Sequence, residues 1–318
     1  MNNILPEIRI QKLRNACDRY GFSDIIAKKT GIPFAPLSFA NWLHGWIWND
    51  PYIEIFVGGR GQRKSLSIVV ASEHEKQVVD SHGYTNCVLG GVPLIYVPEQ
   101  GIARRDKTLL AFLPHSTESA KLKKSHLDYL DYLHSIRGDF SDVYVSIYWY
   151  DNSPDLQDDI KKRNLIPVIG ARPDDMNALV RMRRMLDYSD YVTSNCIGSH
   201  IAYALYCGCT VSICGPYHMY DNNMISAAGN VHEYSERYYN HLIESQQESY
   251  VKERYPWLFP GHPAKGRKDV SYGAQILGKK WILGDKDLKK VLGWTVEGQI
   301  KGYVTGGISR VNRFVKSV

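Results

Sequence analysis

The sequence predicts an α/β protein built on parallel sheets, and three observations carry that expectation. Short apolar runs of four to seven residues alternate with helical stretches, the pattern of strands joined by helical crossovers and covered on both faces. These runs fall into two groups on either side of residues 98–107, a Pro-, Gly- and charge-rich stretch with the composition of a linker. At roughly 150 residues per domain, a chain of 318 residues is expected to form two halves facing each other across a cleft.

In the first group a helix is expected near 8–20 and another at 23–29. Residues 36–43 read as a buried strand ending at His44-Gly45-Trp46, and 52–58 and 65–72 as further strands. Gly58 to Gly61 suits a tight hairpin between those last two. Residues 73–82 are helical and 87–97 close the half. The second group is more regular. Strands are expected at 108–113, 143–149, 165–170, 191–194 and 210–214, with helices at 118–136, 154–163, 174–187 and 198–207 between them. Beyond 215 come an amphipathic helix over 232–254, a loop, and short helical pieces over 273–293. The expected division is 1–105, 106–290 and a basic amphipathic tail, 291–318.

Composition sets limits. Hydrophobic residues make up 44% and charged residues 23%, so the chain is not disordered as a whole. A net charge of +6 is too small to argue for nucleic acid, yet it suits an anionic substrate or membrane. The six cysteines form no CxxC pair and read as small buried hydrophobes, as in a reducing compartment. Neither a signal peptide nor an apolar stretch of membrane-spanning length is apparent. A cytoplasmic location is expected. Residues 301–318 carry Lys301, Arg310, Arg313 and Lys316 with no acid. That composition suits the anionic inner face of a membrane or a solvated helix face equally well.

Right-handed crossovers place the loops after the strands on one edge of a sheet. Pro114-His115-Ser116, Tyr150-Asp151, Gly170-Ala171-Arg172 and Ser194-Asn195-Cys196-Ile197-Gly198-Ser199-His200 therefore converge. The last of these opens a helix. Gly198 permits close approach, and the first-turn amides and hydroxyls suit an anion. Arg172 adds a guanidinium fork. Together His115, Ser116, Arg172, Ser194, Asn195, Gly198, Ser199 and His200 are expected to form a phosphate site. No GxGxxG follows a strand, and neither a GxxxxGK[ST] nor an HExxH motif occurs. The acid pairs Asp158-Asp159 and Asp174-Asp175 point about 100° apart on a helix, which makes no metal clamp. No metal and no cofactor are expected. Trp42, Trp46 and Trp48 read as a hydrophobic plug, and Arg181, Arg183 and Arg184 as a solvated helix face. The histidines outside these loops read as surface residues.

The run Asp190 to Leu205 resembles a stretch shared by GT-B-fold glycosyltransferases of bacterial surface-polysaccharide (O-antigen and capsule) biosynthesis. Leu43-His44-Gly45-Trp46, Gly83-Tyr84-Thr85-Asn86 with Gly90-Gly91-Val92-Pro93, Leu113-Pro114-His115-Ser116 and Gly170-Ala171-Arg172-Pro173-Asp174 are similar to further pieces of that group, in the same order. The likeness covers about 36–215. Ser199 stands where the group more often has Thr, and Leu43 replaces a usual Gln.

The resemblance implies a GT-B-like pair of Rossmann-type domains. It implies a nucleotide-sugar donor in the second half, a glycan or glycolipid acceptor against the first, and metal-independent transfer in the cleft. For an inverting reaction a base must reach the acceptor hydroxyl. His44 is the first choice, with Asp50 and Asp151 as rivals. A sugar-nucleotide 2-epimerase and a non-catalytic nucleotide- or glycan-binding protein are the competing readings.

Overall fold

Two sheets, both wholly parallel, organise the chain. The structure is a computed structural model that describes residues 1–58, 66–116, 126–219 and 235–305. The first sheet has three strands, β1 (Ala40–Trp42), β2 (Ser67–Val70) and β3 (Cys87–Leu89), in that order. The second has five, β4 (Arg105–Phe112), β5 (Asp142–Ile147), β6 (Ile166–Ile169), β7 (Ser189–Ser194) and β8 (Thr210–Ile213), in the order β6-β5-β4-β7-β8. Among the described residues every pairing between these strands is parallel, and isolated antiparallel bridges join Ile10 to Asp175 and Val211 of β8 to Arg267. The chain is thus α/β with parallel sheets, as its alternating runs predict.

Helices α1 (Phe22–Lys29), α2 (Ile53–Val57) and α3 (Glu73–Ser81) accompany the first sheet in sequence. Helices α4 (Leu127–Ser135), α5 (Pro154–Lys162), α6 (Ala178–Tyr188) and α7 (Ser199–Tyr206) connect or follow strands of the second. After β8 come α8 (Glu236–Ser245), α9 (Glu248–Arg254), α10 (Val270–Ile276) and α11 (Asp285–Val291), then a helical run at 296–305.

Strand residues alternate between two faces, and the core follows. On β4, Leu110 and Phe112 join a cluster that also holds Val69 and Trp42 of the first sheet. Leu109, Ala111 and Leu113 join the opposite cluster, with Leu130, Leu133 and Ile160 of α4 and α5. On β2, Val69 faces the shared cluster while Ile68 and Val70 pack with Phe56 and Val79. The inner faces of both sheets therefore belong to one continuous core.

Three expectations give way to tertiary contacts. Residues 52–58 form helix α2 rather than a strand. A short apolar run does not distinguish the two, and here Phe56 and Val57 cover the outer face of the three-stranded sheet. Residues 8–15 are not helical, because their backbone pairs with a distant loop. Gln11 N donates to Asp174 O at 2.9 Å, Met176 N to Arg9 O at 2.8 Å, and Arg9 N to the Asp175 carboxylate at 2.8 Å. The segment 98–107 is a connection only to Arg104, since β4 begins at Arg105. With 53–57 helical and β1 to β3 parallel, no strand precedes Gly58 for the hairpin expected at 58–61, while 59–61, the tail from 306 onward and 118–125 of the expected helix 118–136 lie outside the described residues.

The first residues pack against the second sheet, and residues 292–294 pack beside the start of the first. Met1 donates its ammonium to the Tyr144 hydroxyl at 3.2 Å. Arg181 donates to Pro6 O and Arg184 to Ile4 O, so these arginines clamp the N-terminal segment. Arg181 and Arg183 are buried, not solvated. At the other end, Phe39 N donates to Leu292 O at 2.9 Å and Trp294 Nε1 to Ser38 Oγ at 3.1 Å. His218 and His241, expected on the surface, are also buried. All six cysteines are buried and unbridged. Among the described residues no helix is long and apolar enough to cross a membrane.

One corner in the N-terminal segment matters for the site. Gly21 has φ +76°, and a Cβ there would run into the Met176 backbone carbonyl. Both the left-handed conformation and the close approach require glycine. Gly21→Ala is expected to cost about 2 kcal/mol or more in urea unfolding. An unchanged midpoint would show that the two backbones do not meet.

Candidate functional site

The five-stranded sheet has a direction change built into it. From β4 the strands grow one way through β5 and β6, then the chain crosses back to place β7 and β8 on the other side. Loops leaving β4 and β7 diverge at such a point and open a crevice outside their carboxyl ends. A cavity of about 580 Å³ lies there. Its walls come from Phe112 to His115 after β4, Tyr148 after β5, Gly170 and Ala171 after β6, and Cys196 to His200 after β7. Tyr20, His44 and Trp48 close it from the first part of the chain, and Tyr238, Tyr239, Leu242 and Gln246 of α8 form a further side.

The first turn of α7 is the hinge of this arrangement. Its leading amides have no partner within the helix and carry the positive end of its dipole. The Ser199 hydroxyl accepts a hydrogen bond from Trp46 N–H at 3.0 Å. Tyr203, one turn on, donates its hydroxyl to the His44 carbonyl. Between these bonds, a Cβ on Gly45 would lie 2.5 Å from Ser199 Oγ, so the loop fits only without a side chain there. The His44-Gly45-Trp46 loop is thereby fixed to the helix that faces the cavity.

Of the residues expected from sequence, the cavity gathers His44, His115, Gly198, Ser199 and His200. A Cβ at Gly198 would stand 2.9 Å from the His200 ring, which accounts for the glycine. The others are engaged elsewhere. Arg172 forms a two-pronged ion pair with Asp174 and lies 4.5 Å from the Trp149 ring centre. Ser194 is buried and donates to Phe112 O at 3.0 Å, fastening β7 to β4. Asn195 donates to Pro216 O at 2.8 Å. Ser116 N donates to the Asp151 carboxylate at 2.8 Å, so both turn away from the cavity wall. Asp50 is an exposed partner of Arg254 at 3.0 Å.

Several lining residues had no sequence signal. Tyr20 reaches the cavity from a left-handed backbone position, φ 60°, and its ring lies 5.3 Å from that of His44. Ser146, Tyr148 and Tyr203 are strand or helix residues of ordinary type. Of the tryptophans, Trp42 and Trp46 form the buried plug, whereas Trp48 borders the cavity.

The electrostatics are unusual for an anion site. No Asp, Glu, Lys or Arg is among the described residues lining the cavity. Its ionisable groups are three imidazoles, several phenols and the Cys196 thiol. Burial drives the His200 pKa down from its ordinary 6.5 to about 3, with His115 nearby adding to the effect. Burial also lowers that of His115, which stacks on Tyr148 at 4.2 Å. His44 keeps contact with solvent although protein crowds it on both sides. That crowding, with Arg19 close by, lowers its pKa too. All three are neutral at pH 7. The Nε2 of His200 and the Nε1 of Trp48 are buried with no hydrogen-bond partner among the described residues. Buried polar groups of this kind are rarely left unpaired. Among the described residues no group of three or more His, Cys, Asp or Glu could hold a metal ion.

No protein-family model matches the sequence, and no curated protein matches it. Among solved structures, an S. aureus MnaA–UDP co-structure is similar over 80% of this chain and 82% of that chain, with 12% identity and a TM-score of 0.37.

The loop-to-helix contact can be weighed directly. Tyr203→Phe removes the donor to His44 O and is expected to cost about 1–2 kcal/mol, with faster amide exchange confined to residues 43–47. No change in exchange there would mean that the loop is held by other contacts.

Proposed function

We propose that this chain is a glycosyltransferase of GT-B-like architecture that moves a sugar from a nucleotide-sugar donor to a glycan acceptor. The observation that carries the reading is the cavity at the strand-direction change, which is bordered by the first turn of α7, three histidines and Trp48. A phosphate there would take the helix amides, and the phenols and Trp48 suit a sugar or base. Glycosyl transfer builds charge on the departing phosphate, and fixed dipoles stabilise it without reorganising. Imidazoles held neutral by burial can donate a hydrogen bond to that phosphate or accept a proton as it binds.

Transfer rather than rearrangement of one molecule is favoured by a second cavity. It has about 620 Å³ and shares His44 and Tyr238 with the first. His44 stands where a hydroxyl from one cavity would meet a sugar carbon in the other. Its ring, exposed at the border of the two cavities, is free to take the proton of that hydroxyl.

With no fixed cation in the wall, a bound phosphate must favour protonated His115 or His200. Binding then raises their pKa values and takes up a proton, so affinity falls as pH rises. In calorimetric titrations with UDP, GDP, TDP and CMP, at least one nucleotide is expected to bind more tightly at pH 6 than at pH 8, and His200→Gln is expected to flatten that dependence. Equal affinity at both pH values would remove the imidazoles from the phosphate site. A second expectation concerns His44→Gln. It should retain nucleotide affinity while losing about a hundredfold or more in transfer rate. Full activity would exclude His44 as base, and release of free nucleotide from a nucleotide-sugar with no acceptor present would favour the epimerase instead.

A further inference from the structure

The second cavity carries information of its own. It opens beside the ends of β1 and β2, over a floor that includes Trp42, Leu43, Phe56 and Ile68. Three charged side chains line it among the described residues, and two are already committed. Arg14 is held by Asp18 through Nε at 2.9 Å and Nη2 at 3.0 Å. Glu54 accepts the Ser235 hydroxyl at 2.7 Å. The third is Arg19, which is exposed and makes no ion pair or side-chain hydrogen bond among the described residues.

The backbone explains why Arg19 is there. Tyr20 is a non-glycine residue in the left-handed region, φ 60° and ψ 17°, and Gly21 follows it in the same region. Tyr20 N donates to Pro173 O at 2.7 Å, and Gly21 lies against Met176, so the loop after β6 imposes the corner. Its consequence is that neighbouring side chains enter different cavities, Tyr20 the first and Arg19 the second. Strained backbone of this kind costs about 1–3 kcal/mol and is kept where surrounding structure over-determines it. A further observation lies on the same wall. Asn15 lines the second cavity, and its Nδ2 is buried with no partner among the described residues. Arg19 is the uncommitted cation on this wall among the described residues.

We propose that the second cavity binds a sugar bearing an anionic group, with Arg19 as its anion-binding residue and His44 beside the sugar's reactive hydroxyl. A guanidinium pairs with carboxylate or phosphate through two parallel hydrogen bonds, so a uronic acid and a phosphosugar satisfy the chemistry alike. The apolar floor takes the face of the sugar ring. The proposal rests on the reading of the first cavity as the nucleotide-sugar site, and it makes the second substrate an acidic glycan unit.

The test follows the His44 ring resonance by NMR in the full chain with labelled histidine, assigned through His44→Gln. Glucuronate, glucose 6-phosphate and glucose are titrated separately. The two anionic sugars are expected to shift the resonance at millimolar concentration, and glucose to shift it far less. A response to glucuronate alone, or to the phosphate alone, names the anion. In Arg19→Ala, an exposed change that should leave the circular dichroism intact, the anionic response is expected to weaken about tenfold or more, and Arg19→Lys to recover part of it. An equal response to glucose, a response untouched by Arg19→Ala, or no response to any sugar overturns the proposal. Nucleotide affinity measured on the same Arg19→Ala protein separates the two readings, because it reports on the first cavity and should not change.

Discussion

The contact between the first turn of α7 and the loop from His44 to Trp46 sets the geometry of everything around it. Ser199 receives the Trp46 amide and Tyr203 reaches the His44 carbonyl, and Gly45 leaves room for the Ser199 hydroxyl against the loop. These are backbone-directed bonds, so they fix the path of the loop rather than one rotamer. With that path fixed, His44 stands at the boundary of two cavities and Trp48 borders the first. The helix whose first turn borders the first cavity is therefore the same helix that positions the loop opposite it. A disturbance at Ser199 is felt on both sides of the cleft.

The use of cations elsewhere gives the first cavity its character. Arg172 is tied to Asp174, Arg183 to Asp187, and Arg14 to Asp18. Arg181 and Arg184 hold the carbonyls of the N-terminal segment. The first three are local pairs and the last two tie α6 to the N-terminal segment, which leaves dipoles and neutral imidazoles to face the cavity. Such groups are held in place by packing and need little reorganisation as charge develops. Arg19 stands apart from this pattern, and its freedom is the work of the Tyr20–Gly21 corner.

How much of this was legible in the sequence depended on how local each cause was. The strands of the second sheet are short apolar runs bounded by turn residues, and 108–113, 143–149, 165–170, 191–194 and 210–214 all overlap observed strands. The helix start at Ser199 was equally readable, since Gly198 and the small residues before it announce a turn into a helix. Side-chain direction was not readable. Asp151 and Asp50 sit in the expected loops yet turn toward Ser116 and Arg254, partners that only the fold supplies, while Arg172 turns to Asp174 two residues on. Tyr20 and Arg19 were invisible for a related reason, because the backbone that aims them is shaped by Pro173 and Met176, more than 150 residues away. The strand expected at 52–58 failed because a five-residue apolar run fits either structure until its cover is known.

The most direct test is a crystal structure of the protein grown with the nucleotide it binds best. A phosphate within hydrogen-bond distance of the amides at Ser199 and His200, with the base or ribose between the loops after β4 and β7, is the expected result. A nucleotide seated elsewhere, with this cavity filled only by solvent, would contradict it.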